Sequence, residues 1–212
     1  MAYYPLFLEV KGRPCLVVGG GQVAARKVEG LLAAEARVTV ISPSLEADLS
    51  KLKAERRIQH IGRGYQHADL KGYTVVIAAT DDEATNERVA DDARHSGIPI
   101  NVVDQPALCD FIVPSVIRRG DVVIAISTGG LSPALARWLR EELEAYLSED
   151  FEHLAALLAE VRNDLRDRGI SVEPEAWQQA IDSPLRELIA AGRLEDAKAR
   201  ILSALGAGQL KA

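Results

Sequence analysis

The stretch from Arg13 to Leu32, RPCLVVGGGQVAARKVEGLL, restricts this chain more than any other. An apolar run, Cys15-Leu16-Val17-Val18, meets three consecutive glycines and then a helix-favouring segment without proline. Strand, tight turn and helix in that order form the opening unit of a dinucleotide-binding sheet. The internal pattern is Gly19-x-Gly21-x-x-Ala24. Gly19 permits the turn, Gly21 lets the backbone approach a pyrophosphate, and the small Ala24 allows close helix–strand packing where a third glycine often stands. The free N–H groups and positive dipole end of the helix favour an anion, so Gln22 and Val23 are expected to offer backbone donors. The competing reading is a glycine-assisted turn in an α/β protein that binds nothing.

The chain has 212 residues, 48% of them hydrophobic, enough for one large domain or two small ones without covalent staples. A net charge of -6 argues against a nucleic-acid partner, which needs a basic face. The two cysteines, Cys15 in the first strand and Cys109 in a later loop, supply neither a disulfide framework nor a four-ligand metal site, so a reducing, cytoplasmic setting is expected. The N-terminal MAYYPLFLEVKGRP has the wrong flanks for a signal peptide, and no later apolar run is long enough to span a bilayer. A soluble protein without a membrane partner is expected.

In chain order, Leu6 to Val10 reads as a short strand ahead of a Lys11-Gly12 turn. Arg37-Val38-Thr39-Val40-Ile41 reads as the second core strand, ending at Ser42-Pro43-Ser44, where such a fold delivers its ribose contact. The usual acidic residue is missing from that strand end. Ser42 and Ser44 could bond the ribose, but nothing there selects a free 2′-OH or welcomes a 2′-phosphate, so weak discrimination between NAD and NADP is expected. A short amphipathic helix over Leu45 to Arg56 and a third strand from Ile58 to Ile61 follow. Thr74 to Ala79 is continuously apolar after its first residue, as strands buried on both faces are, and it delivers Thr80 to the ligand edge of the sheet. A helix from Glu83 to Ser96, with Asp81 and Asp82 as N-capping candidates, stops at Gly97.

The next strand, Ile100 to Asp104, ends in a carboxylate on the same edge, and Asp104 is the candidate catalytic group. Position alone leaves it equally readable as a surface loop aspartate. Phe111 to Ser115 and Asp121 to Ile126 read as a hairpin pair that leaves the parallel topology. Ser127-Thr128-Gly129-Gly130-Leu131-Ser132-Pro133 then opens a helix running to Tyr146, with Ser132 as N-cap and Pro133 in the first turn. The glycine turn could expose N–H groups to a second anion, with Arg137 one turn inside the helix. From Glu149 onward three or four helices are expected, broken near Gly169, Ser183-Pro184 and Gly192, with Leu194, Ala197, Ile201, Leu202 and Leu205 forming the apolar face of the last.

The blocks VVGGGQVAARKVEGLL, VTVISPSL, YTVVIAATDDEATNERVADDAR, INVVDQPALCDFIVPSVIRRGDVVIAISTGG and LSPALARWLREELE occur in one order at close spacing. Together they resemble the siroheme synthase N-terminal domain, the family of precorrin-2 dehydrogenase and sirohydrochlorin ferrochelatase. The resemblance is dense to about residue 150 and general beyond it. It implies an α/β fold: a Rossmann-type parallel-sheet domain over residues 1–113, a dimerisation region over 114–148 and a small helical C-terminal domain over 149–212. It implies NAD-dependent oxidation of precorrin-2 to sirohydrochlorin by a homodimer, in some members followed by insertion of ferrous iron. Residue by residue, it places cofactor contacts on Gln22 and Val23, beside Gly19 and Gly21, and on Pro43 and Ser44. Thr80 is added from its place on the ligand edge. Asp104 matches the aspartate regarded as general base, and Ser127, Thr128, Gly129 and Gly130 match the tetrapyrrole-facing turn. No methyltransferase segment follows, so methylation of uroporphyrinogen is expected to fall to another protein.

This chemistry suits the residues. Desaturation removes a hydride, which a nicotinamide accepts, and a proton, which one placed carboxylate can take. The carboxylates of the tetrapyrrole could be met by Arg118, Arg119 and Arg137. The ring nitrogens would themselves ligate iron, so no protein metal site is needed, and His60, His67, His95 and His153 are read as ordinary histidines. Of the rival readings, a non-enzymatic dinucleotide sensor explains the glycine turn but not Asp104 together with the Ser127 turn. A short-chain alcohol dehydrogenase would need a Tyr-x-x-x-Lys pair that the chain lacks.

Overall fold

In the computed structural model, which describes residues 3–206, the run before the glycines becomes β1 (Pro14–Val18), with Cys15, Leu16 and Val17 wholly buried. Four further strands follow, β2 (Arg37–Ile41), β3 (Ile58–Ile61), β4 (Val75–Ala78) and β5 (Ile100–Val102). They pair in parallel in the order β3-β2-β1-β4-β5, with Cys15 opposite Val38 on one side and Val75 on the other. The order reverses between β1 and β4, the crevice where doubly wound sheets take their ligands.

Alternation along β1 sends its side chains to two cores. Cys15 and Val17 meet Ala24, Ala25 and Val28 of α1 (Gln22–Ala33) and Leu49 and Leu52 of α2 (Ala47–Ala54). Leu16 and Val18 meet Val89, Ala90 and Ala93 of α3 (Glu83–Ser96). Small residues on α1 and α3 let both helices lie close to the sheet. Truncating the fully buried Leu16 to Ala should cost about 2–5 kcal/mol. Helix α3 stops at Gly97, whose φ of 67° is the left-handed conformation that ends a helix, with the Ile98 N–H closing on Ala93 O at 2.9 Å.

Several boundaries differ from the sequence-based expectations. Leu6 to Val10 is not a strand: both edges of β1 are taken, and Leu6, Phe7 and Leu8 stay exposed while only Val10 is buried. Helix α2 is shorter than Leu45 to Arg56, because Leu45 and Glu46 belong to the connection that returns to the glycine turn. Strand β5 stops at Val102, so Asp104 lies in a turn beyond the strand rather than at its last position. The segment from Phe111 is also not a strand. Phe111 packs against the first core, and its carbonyl accepts from Asn101 Nδ2 at 2.9 Å.

The chain divides after Val113. The second unit opens with an antiparallel hairpin of β6 (Ser115–Arg119) and β7 (Val122–Ile126), turning at Gly120, whose φ of 55° suits a two-residue loop. Helix α4 (Pro133–Tyr146) follows, its first turn capped by Ser132 Oγ accepting the Leu135 N–H at 3.2 Å. Then come α5 (Asp150–Asp167), α6 (Pro174–Ala180), α7 (Ser183–Ala190) and α8 (Leu194–Ala204). Their core joins Leu154, Leu157, Val161 and Leu165 to Leu185, Ile189, Ala197 and Ile201. Leu194, expected on the apolar face of the last helix, is exposed because it stands at the first residue of α8, outside this core.

Candidate functional site

Three glycines make the site, and each is needed for a different reason. Gly19 has φ of 125°, and a Cβ there would lie 2.2 Å from Ala79 O at the end of β4, so only glycine fits. Gly20, which the sequence pattern treats as a free position, is as constrained: its Cβ would meet Ser44 O at 1.9 Å and Ser42 Oγ at 2.6 Å. Gly21 has nothing within 4 Å of its Cβ direction and an ordinary φ of -88°, so neither sterics nor backbone conformation within the chain requires glycine there. What the missing side chain leaves is open space over the start of α1.

Gly21 is the N-cap of α1, with no side-chain cap and no acidic residue in the first turn. The leading N–H groups, those of Gln22 and Val23 among them, therefore face an open volume at the positive end of the helix dipole. A dinucleotide pyrophosphate fits this arrangement: uncapped donors, no carboxylate in the first turn of the helix to repel it, and a cradle that a side chain at 21 would fill.

The connection after β2 is folded onto this turn. Gly19 N–H donates to Ile41 O at 2.9 Å, and Glu46 N–H donates to Gly20 O at 2.8 Å. Pro43 and Ser44 are exposed beside it. Ser42 is not available as a ribose donor. It is 3% exposed, its hydroxyl donates to Ser44 O at 2.7 Å, and its carbonyl lies 2.9 Å from His60 Nε2. Glu46 contributes a carboxylate that strand-end reasoning missed, and its Oε1 is buried with no hydrogen-bond partner.

Across the switch point, Thr80 follows β4 with its polar groups held by Asn86, which is 3% exposed. Thr80 Oγ1 donates to Asn86 Oδ1 at 2.8 Å, and Asn86 Nδ2 donates to Thr80 O at 2.9 Å. Thr80 is thus a wall of the site with its hydroxyl committed. Asp82 occupies the N-cap position of α3, yet its side chain takes the Thr85 hydroxyl instead of a backbone N–H.

Asp104 is exposed and holds φ of 60°, a left-handed conformation that costs a non-glycine residue roughly 1–2 kcal/mol and that aspartate tolerates better than most. Its turn is pinned by Cys109, whose Sγ accepts the Val102 N–H at 3.1 Å. Burial pushes the Cys109 thiol up, against the Val102 bond, so this sulfur is a packing group rather than a nucleophile. Lys27, half-buried on α1, is the cation that feels Asp104. Burial and then Arg26 hold its ammonium below the usual lysine value, while Asp104 and Cys109 oppose that shift. Gln105, next to Asp104, has its Oε1 buried without a partner. Lys27, Gln105 and Glu46 carry no motif, and only the fold brings them to this edge.

The remaining expected residues belong to the second unit. Between β7 and α4, Gly129 and Gly130 have φ of 64° and 84°, and Leu131 is 91% exposed. The turn ties down part of its own donors. Gly129 N–H donates to Ser127 Oγ at 3.0 Å, Ser132 N–H donates to Thr128 Oγ1 at 3.0 Å, and Leu131 N–H donates to Thr128 O at 3.2 Å. Arg137 is exposed and makes no ion pair among the described residues, whereas Arg119 is committed to Glu144 and to Leu147 O. Among the described residues no group of three or more His, Cys, Asp or Glu side chains is placed to hold a metal, and no helix is long and apolar enough to cross a membrane.

A parallel sheet with a glycine turn at its switch point and an uncapped helix start beside it defines a dinucleotide-binding α/β protein. The chain belongs to the family described as "Putative NAD(P)-binding", whose model matches residues 6–115, and residues 119–146 match that of the sirohaem biosynthesis protein central region. It is 44% identical over 210 residues to a siroheme synthase of Thioalkalivibrio sulfidiphilus, covering 98% of this chain and 43% of that protein. It is 46% identical over 211 residues to a siroheme synthase of Methylococcus capsulatus, covering 98% and 44%. The chain thus spans less than half the length of these relatives. Among solved structures it resembles SirC, precorrin-2 dehydrogenase, with a TM-score of 0.73 and 26% identity, over 95% of this chain and all of that one.

Proposed function

We propose that this chain is an NAD-dependent precorrin-2 dehydrogenase, oxidising precorrin-2 to sirohydrochlorin. The observation that carries this reading is the open turn over Gly21 and the carboxylate of Asp104 on one ligand edge of a sheet, in a chain similar to siroheme synthases and to a precorrin-2 dehydrogenase. The backbone donors of Gln22 and Val23 would hold the cofactor pyrophosphate, with Gly19 and Gly21 admitting it, Pro43 and Ser44 beside the adenosine ribose, and Thr80 as the opposite wall. NAD, when bound, supplies the hydride acceptor. Asp104 takes the proton lost with the hydride, and solvent receives it from there because the carboxylate is exposed. Lys27, on α1, lies close enough to Asp104 to feel its charge. Ser127, Thr128, Gly129, Gly130 and Arg137 are proposed to meet the tetrapyrrole, with Arg137 pairing a carboxylate.

The finer organisation is part of this proposal: a dimerisation region over 114–148 and a helical domain over 149–212, supported by a core that draws only on residues from Phe151 onward. We propose a homodimer and a cytoplasmic enzyme. Insertion of ferrous iron, as a substrate held by the ring nitrogens, is a further proposed step, with Asp104 as its proposed proton acceptor. Incubating the protein with precorrin-2 and NAD and following sirohydrochlorin by absorbance tests the central reading. Turnover is expected, whereas NAD binding without turnover would favour a dinucleotide sensor.

A further inference from the structure

We infer that Glu46 is the carboxylate that reads the adenosine ribose and makes the site prefer NAD to NADP. The inference rests on the cofactor reading above, and it replaces the weak discrimination expected from the bare end of β2.

A dinucleotide sheet ordinarily places an acidic residue at the second strand to accept hydrogen bonds from the ribose hydroxyls. Here β2 ends at Ile41, and Ser42, Pro43, Ser44 and Leu45 follow before the first acidic side chain. The connection does not run away from the site. It lies on the glycine turn, with Ser44 O and Ser42 Oγ filling the space beside Gly20 and the Glu46 N–H bonded to Gly20 O at 2.8 Å. Glu46 therefore reaches the turn by its own backbone, although it is late in sequence. Its side chain does not cap α2, and its Oε1 is buried with no donor. A buried carboxylate oxygen without a donor is costly, and water or a ligand can supply the missing partner. A ribose diol is such a partner, since each hydroxyl can donate to a carboxylate oxygen.

The competing polar group has been removed: Ser42 donates its hydroxyl to Ser44 O and is buried. There is also no Arg or Lys between Ile41 and Lys51 to neutralise a 2′-phosphate, so a phosphate at that position would meet a carboxylate alone.

The test is calorimetric titration of the apo protein with NAD, NADP and 2′-deoxy-NAD, for wild type, Glu46→Gln and Gly21→Val, with thermal melting as a check on folding. Wild type should bind NAD at least about tenfold more tightly than either other ligand, since a hydrogen bond to a charged group carries that much discrimination. Glu46→Gln should weaken NAD and tighten NADP, narrowing the ratio, a pattern that a merely structural role would not produce. Gly21→Val should bind none of them. If wild type binds NAD and NADP equally, or if a folded Glu46→Gln keeps the wild-type ratio, the assignment of Glu46 is overturned while the cofactor reading stands. If wild type binds no dinucleotide, the cofactor reading fails and the assignment falls with it. If Glu46→Gln does not fold, the wild-type comparison of NAD with 2′-deoxy-NAD still decides: equal binding overturns the inference.

Discussion

Asp104 and Gly21 show how much a single residue reveals of its role. Asp104→Asn keeps shape and tolerance of the left-handed backbone while removing basicity, so precorrin-2 oxidation should fall by about 10² to 10⁴ with NAD binding unchanged. Steady-state rates beside a binding titration check this, and a wild-type rate would move the base elsewhere. The conformational demand on Gly19 was legible because turn chemistry speaks through local sequence, whereas Asp104, expected as the last residue of a strand, stands in the turn beyond it. Gly20 was not legible, since its constraint comes from Ser42 and Ser44 across the sheet. Glu46 and Gln105 escaped for the same reason: an orphaned oxygen exists only once the chain has folded around it.

Among the elements, β2, β3, α3 and α4 matched their expected bounds, β2 through its β-branched run and α3 and α4 through chemically defined ends, Gly97 and Ser132-Pro133. Leu6 to Val10 and Phe111 to Ser115 misled because an apolar run specifies burial, not a partner strand. Helix α7 carries a pH-dependent cap. Asp182 accepts the Leu185 N–H at 2.9 Å and pairs with Arg200 of α8. The Arg200 guanidinium first, and that N–H second, hold its carboxyl below the usual range. A depressed carboxyl stabilises the fold fully above its unfolded pKa, about 3.9, and loses that contribution as pH falls through the lower folded value. Melting followed from neutral pH into acid should therefore lose stability in that window. Asp182→Asn should start with a lower melting temperature at neutral pH and show a shallower acid loss. An unchanged acid profile would remove the claim.

For the whole molecule, the second unit presents apolar surface without an internal partner. Its hairpin is only two strands wide, and Val116, Leu131, Leu135, Trp138, Leu143 and Tyr146 are exposed. Strand β6 buries Ile117 but leaves Val116 exposed, and a second copy related by two-fold symmetry would cover this surface. Light scattering should report a dimer at micromolar concentration, and Trp138→Asp should shift it towards monomer; a monomeric wild type would end the proposal. The pairing of β1 also bears on how the chain is made. β1 leaves the ribosome first among the strands, yet Cys15 must wait for Val75 before its second neighbour exists, and β5 comes later still. The growing chain therefore carries its apolar central strand with one edge unpaired until β4 follows. The helices after α4 close over short separations and can form promptly, so the step exposed to aggregation and to chaperone capture belongs to the sheet.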